Sequence, residues 1–134
     1  MDILAYNDLY DGLVAFNEKS GKPKGNVIVH YPSANPTYPH TVFDEIRNVG
    51  TNFNSDHERV ASVGYVVKVF AKTKGKIDKQ TIAREIAQMV DNYLRYFKLT
   101  RISYNANESV NDNSIYEIIL TYSGNLQENR RRFI

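Results

Sequence analysis

DKQTIAREIAQMVDNYLRYF, residues 78–97, decides how the rest of the chain is read. Ile82, Ile86, Met89, Val90, Tyr93, Leu94 and Phe97 recur at three- and four-residue spacing. That spacing puts them on one stripe of a helix with about 3.6 residues per turn. Asp78 is the expected N-cap, because its carboxylate can accept from the unpaired first-turn amides at the positive end of the helix dipole. Ile77 and Ile82 stand at hydrophobic-staple spacing. Lys98 places a cation near the carbonyl end, and from Leu99 the pattern turns strand-like. About five turns of amphipathic helix, flanked on both sides by strand-like sequence, need an apolar surface to lie on, and the expected surface is a β-sheet.

Immediately upstream, RVASVGYVVKVFAK (59–72) is the strongest strand. Val63, Tyr65, Val67 and Val69 alternate on one face and Val66 and Phe70 on the other, so a central position is expected. Downstream, a strand over 99–106 puts Ile102 and Tyr104 on a common face. The Asn/Asp-rich turn 107–113 then leads to a strand over 114–123, in which Tyr116, Ile118, Leu120 and Tyr122 alternate, and the two should pair antiparallel.

Towards the amino end, residues 2–17 read as a helix with a broad apolar face from Ile3, Leu4, Tyr6, Leu9, Tyr10, Leu13, Val14 and Phe16. Gly12 inside it costs about 1 kcal/mol relative to alanine. A polar turn over 18–25, a short strand over 26–31 and a connection with three prolines over 32–40 follow. That connection must run extended over the surface, since proline suits neither a central strand nor a helix interior. Residues 41–49 read as a strand, with Phe43 on one face and Val42 and Ile46 on the other. Residues 50–58, polar around Phe53, read as a mobile loop.

These elements make an α+β fold, a single mixed or antiparallel β-sheet of about four to five strands with two helices packed mainly on one face. The domain is expected over residues 1–125, followed by a flexible basic C-terminal arm over 126–134.

With 134 residues, the chain holds one core and not two ordinary ones. A net charge of +2 is too small to imply nucleic acid by itself. Absence of cysteine excludes disulfides and thiolate metal sites and fits a reducing cytosolic origin better than a secreted one. No apolar run approaches the roughly 20 residues of a membrane helix, so no membrane partner is expected. The first residues carry acids where a signal peptide would be basic.

Residues fit for chemistry are scattered. His30, His40 and His57 lack metal-ligand spacing, Ser62 and Ser123 lack a nucleophile-elbow frame, and 21–25 and 74–76 lack the spacing of a phosphate loop. Asp44, Glu45 and Lys68 fall short of a nuclease set, because Val66 stands where a second metal-binding acid is needed. The expectation is a protein without catalytic residues, cofactor or metal. His57, Glu58, Asp44 and Lys68 remain individually available to an enzyme, although no motif joins them. Surface contacts are the alternative to chemistry. Tyr31 and Tyr38 flank the proline connection, and Phe53 sits alone in its loop. Arg130, Arg131 and Arg132 with Phe133 and Ile134 combine bidentate cations and apolar anchors at the tail. Together they are the candidate protein-interface residues.

PHTVFDEIRN (39–48), VGYVVKVFAK (63–72), the helix 82–94 and IYEIILTYSG (115–124) together resemble the tail terminator, or tail-completion, proteins of long-tailed bacteriophages. The resemblance covers roughly residues 26–125 and rests on packing signatures; the Arg-rich tail has no counterpart in it. It implies a virion structural protein at the tail-head junction, present in host cytoplasm during assembly. Implied too is a ring of copies of itself, a hexamer, that caps the tail tube protein and meets a head-neck connector protein. Nucleic acid would at most pass through the ring lumen. The alternative is a small nucleic-acid-binding module using Lys22, Lys24, Lys74, Lys76, Arg130, Arg131 and Arg132, with binding that weakens steeply in salt.

Overall fold

The computed structural model describes residues 5–21, 25–53, 59–127 and 132–134. Among them the order is α1 (Ala5–Lys19), β1 (Val27–Val29), β2 (His40–Phe53), β3 (Arg59–Lys72), α2 (Lys79–Tyr96), β4 (Thr100–Glu108), β5 (Ile115–Gln127) and β6 (Arg132–Phe133). The strands form one sheet in the order β1-β2-β3-β5-β4, with β6 also paired to β5. The α+β class expected from the sequence holds, and the sheet is mixed because β1 runs parallel to β2 while the other pairings are antiparallel.

The expected helix is α2, and Asp78 caps it: its side chain accepts from the Gln80 amide. Ile82, Ile86, Met89, Val90, Tyr93 and Leu94 are all buried, together with the small residues Ala83 and Ala87 that let the helix approach the sheet. They pack against the alternate residues Ala61 to Ala71 of β3 and Tyr116, Ile118, Leu120, Tyr122 and Leu126 of β5. α1 adds Ala5, Leu9 and Leu13, so both helices share one core on one side of the sheet. Ile3 and Leu4 lie outside the described residues.

α1 and α2 touch closely at Gly12, and the Tyr93 hydroxyl donates to the Leu9 carbonyl. A buried polar knot ties α1 to the first two strands: the Asn17 amide donates to the Asn26 carbonyl, Asn26 donates back to Asn17 Oδ1, and Thr41 donates to Asn26 Oδ1. Each polar atom finds a partner, which is what allows such groups to be buried.

Four local expectations are corrected. β2 continues through Gly50 to Phe53, where the sequence reads as loop, because β3 offers partners as far as Arg59; residues 54–58 lie outside those described. Ile46 is the extra residue of a bulge between Glu45 and Arg47 and is exposed. A bulge in β4 between Arg101 and Ser103 breaks its strict alternation, so Ile102 and Tyr104 do not share the expected common face, and both are exposed. Finally, residues 126–134 are not set apart from the domain wherever they are described. Leu126 and Gln127 are buried in β5, and β6 pairs back onto them. The ladder supplies backbone partners and the core supplies a seat for Phe133, neither of which local periodicity reveals.

Candidate interaction surface

The sheet separates the candidate interface residues into two groups at opposite ends. Tyr31 and Tyr38 belong to the β1–β2 connection, beside His40, which faces Phe70 near the end of β3. Arg132 and Phe133 pair with Gln127 and Leu126, which lie beside Val60 and Ala61 at the start of β3. The two ends are on the order of 30 Å apart along the strand.

At the first end, the proline connection lies over the outer face of β1 and leaves a hollow of about 200 Å³ between Val27, Val29, Pro36 and His40. Tyr38 packs edge-on against His40, and Lys72 Nζ sits 4.6 Å from its ring centroid. His40 is buried and stacks on Phe70. Its Nδ1 lies 2.9 Å from the Thr37 carbonyl oxygen, which can only accept, so that nitrogen carries the proton. Burial holds the imidazole below its usual pKa, and the Thr37 bond opposes that shift. Tyr38 is therefore committed to packing, whereas Tyr31 is 74 % exposed and available to a partner.

At the second end, Phe133 meets Tyr65 edge-on at 6.2 Å between ring centroids and is half-buried. Arg132 donates from Nε to Gln127 Oε1, and the Ile134 amide donates to the Asn125 carbonyl. Ile134 is exposed. Arg130 and Arg131 lie outside the described residues, as do Lys22 and Lys24, and the side chain of Phe53 is likewise not described. Lys74 and Lys76 follow β3 at the first end and Arg132 lies at the second, so the described members of the basic set do not form one patch.

Sequence reasoning missed Asp91. It is buried on α2, accepts a 2.6 Å hydrogen bond from the Tyr122 hydroxyl, and stands 3.4 Å from Arg101 and 3.6 Å from Arg95. Burial, and then the bond to Asp91, push the Tyr122 phenol well above its usual pKa. The only sequence signal was an acid on the apolar stripe, one residue after Val90. The two acids of the incomplete nuclease set diverge. Asp44 opposes Val66 on the outer face with Lys68, while Glu45 opposes Tyr65 on the core face. His57 and Glu58 lie outside the described residues.

Two surfaces of the sheet are only partly covered by the described residues. Its outer face carries Val66, Phe70, Ile115 and Ile119 half-exposed, with Val49 exposed, and no helix covers it. Its borders are unlike: three-residue β1 on one side and nine-residue β4, with Ile102 58 % exposed, on the other. Among the described residues, no helix is long and apolar enough to cross a membrane. Compared with known proteins, the chain matches no protein-family model and no curated protein.

Proposed function

We propose that the chain is a structural ring subunit of the tail-terminator kind, closing the tail tube of a long-tailed bacteriophage and joining it to the head-neck connector. Its place would be the virion, at the tail-head junction. The reading draws on the resemblance over residues 26–125 and on one observation, the two dissimilar borders of a single sheet. A closed ring needs two different, complementary surfaces on every subunit, because each copy meets its neighbours head to tail. A strand border presents unpaired amides and carbonyls that invite another chain; nine-residue β4 is such a border, whereas on three-residue β1 the Ile28 carbonyl already accepts from the Tyr10 hydroxyl, so the two sides of the sheet differ. The uncovered outer face adds apolar area to any such contact.

The test is native mass spectrometry across a concentration series, followed by electron microscopy of the chain mixed with purified tail tubes. A hexamer that seats on the tube end supports the reading. A monomer at all concentrations that binds neither tube nor connector protein overturns it.

A further inference from the structure

Where the carboxyl end of α2 meets the amino end of α1 and β6, the surface sinks into a hollow of about 340 Å³. Tyr93, Tyr96, Phe97 and Phe133 line it with Leu9. A second hollow of about 400 Å³, lined by Arg95, Lys98 and Arg101, adjoins it and shares Lys98. We propose that the pair docks an acidic segment of a partner protein, with one aliphatic or aromatic side chain in the aromatic hollow and carboxylates against Arg95, Lys98 and Arg101. The proposal does not depend on the ring reading.

Three observations carry it. Tyr96 is 82 % exposed beside Phe97, and tyrosine with arginine is the composition of protein-contact centres. Among the described residues, four cations, Arg95, Lys98, Arg101 and Arg132, stand around the two hollows against two carboxylates, Asp8 and Asp91. Asp91 is buried beneath its two arginines, while Lys98 has no carboxylate partner among the described residues. Lys98 also has φ +66°, the left-handed region, directly after the helix. Glycine takes that position without strain. A lysine there holds a cation at the rim at a conformational cost. The helix dipole favours positive charge at this end, but it accounts neither for the strained backbone nor for the exposed aromatic. A single-stranded nucleic acid can stack a base on an exposed aromatic, but this is a recess of about 340 Å³ lined also by Ala5 and Leu9 and not a flat platform, so the side chain of an acidic peptide is the better match.

The test is selection of a random twelve-residue peptide library on the intact chain, followed by anisotropy of the enriched peptides and of a labelled oligothymidine. Enrichment of peptides that combine Asp or Glu with Leu, Ile or Phe is expected. At least tenfold weaker binding is expected for Lys98→Gly and for Tyr96→Ser. Lys98→Gly relieves the left-handed strain, so its thermal midpoint should be unchanged or higher, which separates lost binding from lost folding. No enrichment, or enriched peptides that bind both variants as tightly as the parent, overturns the proposal. Oligothymidine binding that depends on Lys98 and is tighter than that of the enriched peptides also overturns it and assigns the basic hollow to nucleic acid.

Discussion

The Tyr93 hydroxyl occupies the place where residue 12 would carry a β-carbon: an ideal Cβ on Gly12 would lie 2.1 Å from that oxygen. The same hydroxyl donates to the Leu9 carbonyl at 3.0 Å, one turn earlier on α1. A glycine that weakens the helix locally is therefore what lets the two helices close. Gly12→Ala should destabilise the protein by about 1–3 kcal/mol despite its better helix propensity. Tyr93→Phe alone should cost about 1 kcal/mol for the lost hydrogen bond. Combined, the two should cost clearly less than their sum, because removing the hydroxyl makes room for the methyl. Urea denaturation of the four proteins measures the coupling, and strict additivity would refute this account of Gly12.

Asp91 joins Tyr122 on β5 to Arg95 on α2 and Arg101 on β4. Asp91→Ala leaves the buried phenol without an acceptor, while the arginines, 66 % and 41 % exposed, recover water. A loss of about 1–3 kcal/mol is expected. Asp91→Asn, which keeps an acceptor for Tyr122, should lose less. Equal losses in thermal unfolding would mean that the acceptor is not what matters.

The buried phenols set an alkaline limit. Burial pushes Tyr93 up to about 12, and Tyr6 and Tyr122 are raised as well, all from 10.0. Once pH rises past 10.0, the unfolded chain loses phenolic protons that the folded chain keeps, so stability should fall from there upward. Absorbance titration at the phenolate band should show part of the tyrosine complement ionising only with unfolding.

Glu45 works at the acid end. One carboxylate oxygen is buried without a hydrogen-bond partner among the described residues. Burial raises the pKa above 4.5, the Asn48 hydrogen bond opposes the rise, and Asp44 adds to it. In the window above 4.5 the folded chain holds more protons than the unfolded one, so this group's penalty relaxes as pH falls through it. Glu45→Gln should raise the thermal midpoint at pH 7, with the gain shrinking as pH approaches 4.5.

Phe133 closes the core beside Tyr65. Phe133→Ala should cost about 1–2 kcal/mol, less than a fully buried phenylalanine, and truncation before Arg132 should cost at least as much. Unchanged denaturant midpoints for both would return the tail to the role of a loose arm.

How much was legible follows from how local each signal is. α2, β3 and the β4–β5 hairpin announced themselves because cap, period and turn chemistry agree within a few residues, and their boundaries fall within about two residues of those expected, except that β5 runs on to Gln127. Tyr38 and Phe133 both read as contact residues, yet one is held by His40 and Lys72 and the other by Tyr65. Asp91 looked like a flaw in an apolar stripe because its phenol and one guanidinium come from other strands.

By itself, then, the sequence determined the α+β class, the amphipathic helix that lies on the sheet, and the order of the principal strands. These depend on the period of apolar residues and on the stereochemistry of caps and turns, which neighbours along the chain settle among themselves. Only the tertiary structure decided that β1 runs parallel, that the tail returns to β5, and that Gly12 makes room for Tyr93. It alone gathered Arg95, Lys98 and Arg101 beside an aromatic hollow. Each of these turns on which distant groups meet, through backbone pairing and excluded volume, and no local pattern encodes such a meeting.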